Sequence, residues 1–584
     1  MPRRWLPAVG LAALNWAALG LATANYRGVL TPFAFGPRHP FPPFLAGSLV
    51  LGAHFVVYGW HQLNADTKWL LDRLRPSAPW IAAGASVLAF AFGIRYGTYA
   101  AAGSDSYGYL SQAALWLHGS LRVEQPFVAQ MPWPDVDLSF SPLGFRPIGE
   151  GHAIVSTVAP GLPVLIALAI RVAGECGAFY VGPVFGALAV WLCFLLGARA
   201  ESRAAGVGAA ILFAASPIFL SQVILPWTDV PAAACWAAVW VFALGSSRRS
   251  AIASGASAAL AIAIRPNLVP LCLVPAAFLM SRRGHWMAFA AAAAPGVVFV
   301  AAVNTRLYGS PLTSGYGNLA PAFAWRHAIV NAERYGSWLI EAHTLIVALA
   351  VVGLARVGSA SRRAWLAAFA AGVFASYVFY LPFDRWAFVR FLLPALPMLL
   401  VLTAGTAAWL AAFLPPIVRA VVVSCGGILL AGHQFYVAAT TAAVFNAQRD
   451  ERRAVVVGRY IAEATPPNAV ILSMQHSGSI RYYSGRLTLR YDLLPRDWLD
   501  RAIAALRERG WRPYILLEEW EEPIFRHQFA GSTRAGTLGW PPIAESSSPI
   551  PIRLWEPPDA SAPNARPTVE MPWIADRWCR GVVR

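Results

Sequence analysis

"AAAGSDSYGYLSQAALWLHG", residues 100–119, follows directly on an apolar run, 79–101, of the length that crosses a bilayer. It sets one carboxylate, Asp105, between a membrane-like segment and an amphipathic helix that carries Tyr107 and Tyr109. An acid at that water edge has two readings. Ser104 or Asp105 caps the helix that follows. Alternatively, Asp105 is a general base in a membrane-facing pocket, where a partly dehydrated carboxylate takes a hydroxyl proton more readily.

The composition sets the frame for that choice. The chain has 584 residues, 57% of them hydrophobic and 13% charged. An ordinary soluble protein is about 25% charged, so a polytopic α-helical membrane protein is expected. The net charge of +17 comes almost wholly from arginine, Lys68 being the one lysine. Loops that fix topology account for it, and nucleic acid is not an expected partner. The six cysteines form no CxxC pair, and five lie in or beside apolar runs. A disulfide framework or zinc knuckle is not expected. The start, "MPRRWLPAVGLAALNWAALGLATAN", reads as a retained signal anchor because further spans follow at once.

About thirteen spans are expected, near 6–24, 43–61, 79–101, 178–197, 204–224, 230–246, 250–265, 267–281, 286–304, 336–356, 364–382, 391–412 and 419–438. The connectors "MPRR", "ADTKWLLDRLR", "ARAESR", "SSRR", "SRRGH" and "ARVGSASRR" alternate with connectors poorer in arginine. Positive connectors stay cytoplasmic, which places the N-terminus inside and everything after about 440 outside. Asp105 and Asp229, the latter in "LPWTDVP", then share the outer face. Three apolar stretches separate them, yet a shared face needs an even number of crossings. The odd stretch is "IVSTVAPGLPVLIALAIRVAG", 153–173, with its early prolines and glycine. It is expected to lie re-entrant or on the membrane surface, within a first external loop, 102–177, that is partly embedded.

After about 445 the sequence turns polar. "NAVILSM", "RLTLRYD", "RPYILLEEW" and "IPIRLWEP" read as strands, and "ERRAVVVGRYIAEA" and "PRDWLDRAIAALRERG" as helices. That alternation predicts a small C-terminal α/β extracytoplasmic domain. The expected partition is two additional spans over 1–78, a transmembrane catalytic core over 79–440, the α/β domain over 441–560, and an irregular tail over 561–584.

Further residues bear on chemistry. Asp229 caps the span that starts at "DVPAAA", or else orients a catalytic group or supports a metal. Arg265 in "AIRPNL" and Arg390 in "FVRFLLPALP" stand at outer mouths of spans. Arginine there is against the positive-inside bias, and its planar fork suits phosphate oxygens. Arg385 is a weaker candidate, with a surface pair to Asp384 as the plain alternative. Glu150 and His152 alone are a poor metal site, and His476 reads most simply as a surface histidine. The connector "NTRLYGSPLTSGYGNLAPAFAW" is long enough to close over a lipid or a sugar.

Taken in order, "GSDSYGYLSQA", "PGLPVL", "PWTDVPAAA", "AIRPNL" and "FVRFLLPALP" resemble the bacterial membrane glycosyltransferases of the GT-C superfamily, relatives of protein O-mannosyltransferases and lipid A aminoarabinose transferases. The resemblance implies a donor of one sugar on polyprenyl phosphate, membrane lipid around it, and transfer with inversion to a lipid, protein or polysaccharide acceptor. It implies a multi-pass protein of the bacterial inner membrane. On this pattern Asp105 is the base, Asp229 supports the acceptor or a metal, and Arg265, Arg390, Arg385 and Tyr107 bind the donor. Two departures stand out. The first-loop pair is Asp105-Ser106 where many relatives carry Asp-Glu, and "WTDVP" holds one acid where oligosaccharyltransferases carry Asp-x-Asp. A divalent cation is therefore open, and transfer of a whole oligosaccharide is disfavoured. The rival readings are a transporter or flippase of a lipid-linked sugar and a glycan ligase or polymerase.

Overall fold

The computed structural model describes residues 2–27, 29–30, 37–149, 151–281, 284–356, 360–547, 550–558 and 567–572. Among them six helices are long and apolar enough to cross a membrane, or eight if each of two bent pairs is one span. The bent pairs are Arg203–Ala215 with Pro217–Val223, at 59°, and Trp325–His343 with Leu345–Ala355, at 113°. Length and composition thus support fewer spans than the thirteen expected. Several expected spans are short helices, such as Pro266–Met280 and Asp229–Ala243, the latter enclosed by its neighbours. Proline opens many of these elements, for example at Pro217, Pro266 and Pro416, where its missing N–H costs nothing.

The helix core is aromatic: Trp236 and Trp240 of Asp229–Ala243 pack against Phe369 and Phe278 and are fully buried. Large apolar side chains such as Val56, Trp80 and Leu88 point outward instead. A surface of that kind suits hydrocarbon rather than water. The N-terminal helices Leu6–Asn25 and Phe41–Leu74 pack on each other and on Pro416–Ala439. Phe41–Leu74 breaks at Gly59, and His54 Nε2 meets Asp66 Oδ2 at 3.2 Å across the break.

The segment between helices Ala78–Tyr96 and Val181–Ala200 is built rather than loose. Helix Gly103–His118 is followed by an antiparallel sheet of β1 (Val123–Glu124), β2 (Phe145–Ile148) and β3 (Ala153–Ser156), in the order β1-β3-β2. The apolar stretch 153–173 therefore divides. Its first residues are the buried strand β3, and only Gly161–Ala173 is helical, with Leu168 and Val172 exposed. Thirteen residues are too few to span, which is in keeping with a helix lying at the surface.

The C-terminal region is α/β, with strands β4 (Ala469–Leu472), β5 (Leu487–Leu489), β6 (Arg512–Glu518), β7 (Ala544–Ser546), β8 (Ile552–Trp555) and β9 (Val569–Glu570). Their order is β5-β4-β6-β8-β7-β9. β4 runs parallel to both β5 and β6, β8 runs antiparallel to β6 and β7, and β9 lies parallel to β7. The tail expected to be irregular after 560 thus supplies an edge strand. Helices Ser477–Ser484 and Glu521–Phe529, too short to show a clear period, join the two that were expected, Val444–Ala464 and Leu499–Glu508. The region docks on the far side of helix Gly103–His118. There the Ala101 N–H donates to the Tyr483 hydroxyl at 2.7 Å, and the Leu143 N–H donates to Ser477 Oγ at 3.1 Å.

Candidate active site

Four charged side chains from four separate stretches converge at one end of the bundle. Asp105 lies in the first turn of Gly103–His118. It does not cap that helix: Ala102 is the cap residue and makes no side-chain bond. Its carboxylate instead accepts from Arg390 Nη2 at 3.1 Å. Asp229 opens helix Asp229–Ala243 and accepts from Arg265 Nη2 at 2.9 Å. Arg390 Nη1 stands 4.0 Å from Asp229 Oδ2, so the two pairs are one alternating cluster.

Local sequence explains each placement. Pro266 forces the residue before it out of helical geometry. Arg265 accordingly ends helix Arg248–Ile264 in an open conformation, φ −137° and ψ 82°, with its side chain turned to Thr228 and Asp229. Gly161 brings the surface helix against this turn, where a Cβ would sit 2.3 Å from the Ala263 carbonyl carbon. Trp227 donates from Nε1 to Ser106 Oγ at 2.8 Å, and the Arg390 guanidinium lies 4.3 Å from the Trp227 ring centre. A face-on aromatic holds a guanidinium without neutralising it. Ser106, the departure at the first-loop pair, therefore anchors the platform under Arg390 rather than standing in for a second acid.

Two tyrosines complete the cluster. Tyr109, one turn after Asp105, approaches Thr228 Oγ1 with its hydroxyl at 3.4 Å. Tyr316, from the connector after helix Trp286–Tyr308, lies within electrostatic reach of Asp105, Arg265 and Arg390. Its neighbour Gly315 rests on the backbone of Thr157 and accepts a 3.4 Å bond from Arg146 Nη1. The cluster is graded in exposure: the Asp229 side chain is 2% exposed, Arg265 11%, Arg390 14% and Asp105 29%. Asp105 is the acid that a group arriving from water can reach.

Four of the six residues singled out in the sequence thus meet: Asp105, Asp229, Arg265 and Arg390. Tyr107 does not join them. It lies two residues from Asp105, which turns it to the opposite side of the helix, where it is buried against Gly478, Phe145 and Tyr482. Arg385 is exposed, and among the described residues it has no ion pair, with Asp384 or otherwise. His476 is not a surface residue. It is 2% exposed and meets Glu518 at 2.8 Å. His152 pairs with Asp137 at 2.7 Å, and Glu150 lies outside the described residues. Cys176, at the end of the first loop, is disulfide-bonded, against the expectation from spacing. Sequence reasoning passed over Tyr109, Trp227, Thr228 and Tyr316 as site residues. The first stands one helical turn from Asp105, and the next two directly precede Asp229.

Comparison with known proteins settles the family. Residues 77–381, more than half of the chain, match the model for "Oligosaccharyl transferase STT3, N-terminal". The chain belongs to the STT3 family. Asp105, Asp229, Arg265 and Tyr316 of this STT3-family chain fall inside the matched stretch, and Arg390 lies just beyond it. Among solved structures it is similar to ArnT from Cupriavidus metallidurans in the apo state. That similarity has a TM-score of 0.53 and 11% identity, and covers 84% of this chain and 98% of that one. It is also similar to ArnT bound to undecaprenyl phosphate, with a TM-score of 0.50 and 12% identity over 76% and 94% of the two chains. A further match is the Archaeoglobus fulgidus oligosaccharyltransferase tethered with an acceptor peptide, at 0.48 and 12% over 80% and 73%. No curated protein matches the chain. Membership makes this a membrane glycosyltransferase, and the ArnT likeness supports the fold.

The residues present do not fit a divalent cation. Each aspartate is already held by a guanidinium, and among the described residues no three His, Cys, Asp or Glu side chains converge as ligands.

Proposed function

We propose that this STT3-family chain moves one sugar from a polyprenyl-phosphate donor to a hydroxyl-bearing acceptor on the outer face of the membrane, with inversion. The observation that carries this reading is the alternating cluster of Asp105, Arg390, Asp229 and Arg265. An incoming lipid phosphate competes with the carboxylates for the two guanidiniums. Arg265 already has Nη1 buried and without a partner among the described residues, a donor ready for a phosphate oxygen. Arg390 is the more exposed of the two, and moving it onto the phosphate releases Asp105.

Freed Asp105 takes the acceptor's proton as its oxygen attacks the anomeric carbon, and the bond from that carbon to the phosphate oxygen breaks. A single displacement of this kind inverts the carbon. The charge that grows on the departing phosphate is met by Arg265 and Arg390, already oriented. Asp229, nearly fully buried, holds Arg265 in place and is not itself a base. The outward placement is supported by the arginine-rich connectors on the other side of the spans. The disulfide at Cys176 supports it as well, since such bonds persist in oxidising compartments. The ArnT structure with undecaprenyl phosphate supports the choice of carrier.

A second reading, transfer of a preassembled oligosaccharide, is favoured by the family description. The single acid of "WTDVP", paired with Arg265, weighs against it. The decisive experiment supplies outward-facing vesicles with radiolabelled undecaprenyl-phosphate sugars and compares wild type with Asp105→Asn. Transfer should fall by about 10²-fold or more in a variant that still purifies folded, the scale of general-base catalysis. Equal turnover would remove Asp105 as the base.

A further inference from the structure

The face of helix Gly103–His118 that carries Asp105 continues past Tyr109 along the helix. Gln112 is seven residues after Asp105 and three after Tyr109, within about 20° of the Asp105 direction around the helix. Its side chain is 1% exposed, and neither Nε2 nor Oε1 has a partner among the described residues. One turn further on, Trp116 keeps the face, and its Nε1 is likewise buried without a partner. The Trp116 ring lies 6.3 Å from that of Phe299, on helix Trp286–Tyr308. Together with Arg265 Nη1, three unsatisfied polar groups thus lie on or beside one strip that begins at the charged cluster. A buried carboxamide with both ends empty is costly. A fold that keeps one beside a site keeps it for a ligand that pairs with both ends.

Resting on the reading above, we infer that Gln112 recognises the hydroxyls of the transferred sugar. A carboxamide matches a pair of neighbouring hydroxyls: Nε2–H donates to one oxygen while Oε1 accepts from the other. The Trp116 N–H offers a further donor one turn along the strip, and the Trp116 and Phe299 rings supply apolar wall for the face of a sugar ring. Phosphate is held by the arginines of the cluster, and the ring lies next to it along the helix, on Gln112. At 1% exposure the amide meets no solvent in this state, so its surroundings part when the ring enters. Gln112 would then decide which sugar is accepted and take no part in proton transfer.

The test uses the full-length protein in nanodiscs. The probes are bare undecaprenyl phosphate and undecaprenyl phosphate carrying mannose, glucose, galactose or arabinose. Gln112→Leu should weaken binding of the preferred sugar-lipid tenfold or more. It should leave bare undecaprenyl phosphate within twofold and the melting temperature no lower than wild type. Gln112→Asn, which keeps the amide but withdraws it, should change the ranking of the four sugars. Equal weakening of bare and sugar-bearing lipid would make Gln112 a structural residue and overturn the proposal. Unchanged affinity for every sugar-lipid would mean that buried water alone satisfies the amide, and would overturn it too. If wild type bound no undecaprenyl phosphate at all, the donor reading would fall and the sugar site with it. Binding of bare lipid without any effect of Gln112 would sink only the latter.

Discussion

Arg390 answers to both acids and to one indole, and in the proposed mechanism that position links donor binding to base release. If Trp227 supports the guanidinium face-on, Trp227→Leu removes a contact worth about 0.5–2 kcal/mol and strands the Ser106 hydroxyl. Donor affinity should then fall by roughly 2- to 30-fold, while Asp105 chemistry at saturating donor is nearly unchanged. A titration with undecaprenyl phosphate, followed by turnover at saturation, separates the two; a loss confined to turnover would contradict the platform role. Arg390→Lys keeps the charge but loses the planar fork, and should bind donor more weakly than wild type even with Trp227 intact. The four charged residues were legible because a charge at the mouth of an apolar span is expensive and needs a reason. Trp227 and Tyr316 were not, because aromatics at a membrane edge are expected whatever they do. Ser106 looked like a missing acid until its partner was visible.

At the scale of elements, the site depends on backbone approach as much as on side chains. The surface helix Gly161–Ala173 starts against the last turn before Arg265, so close that a Cβ on Gly161 would meet the backbone of Ala263 and Ile264 within 2.6 Å. Backbone cannot yield as a side-chain tip can. Gly161→Ala should push the surface helix away from Arg265 and lower turnover at least tenfold, with a much smaller effect on thermal stability. Gly84→Ala is the control, since a Cβ there meets nothing within 4 Å. Equal turnover in the two variants would show that the close approach at Gly161 does not set the site. The sequence marked 153–173 as unusual through parity and its prolines. It could not show that Ala153–Ser156 is a strand, because a short apolar run reads the same whether it is a buried strand or a helix start. The short helices Ser477–Ser484 and Glu521–Phe529 escaped for a related reason: two turns carry too little periodicity to stand out.

For the molecule as a whole, the C-terminal region is tied to the catalytic face through the buried side of helix Gly103–His118, and its own interior holds a charged network. Glu518 is fully buried and receives His476, Arg453 and Trp520 at once. Burial opposes its charge, but those three partners prevail and hold the carboxyl down at about 2. Nearby Glu521 moves the other way, pushed up chiefly by burial. His476 gave no sign of this in the sequence, since its partner stands 42 residues on and meets it only when β4 and β6 pair. In the unfolded chain Glu518 takes up its proton near the usual carboxylate value of about 4.3. Its contribution to stability is therefore complete above that value, fades as pH falls, and is gone below about 2. Glu521 acts in a different window, since its raised carboxyl is already protonated in both states below about 4.3. Glu518→Gln should be less stable than wild type at neutral pH, and the gap should narrow between about pH 4.5 and pH 2, since the variant has no carboxylate there to lose. Hydrogen exchange of Arg512–Glu518, corrected for intrinsic rate, measures the two proteins in the same segment. Ion pairs elsewhere are common to both and cancel in the difference. A gap that stayed constant across that range would mean that Glu518 is neutral in the fold and that the network is held by hydrogen bonds without charge.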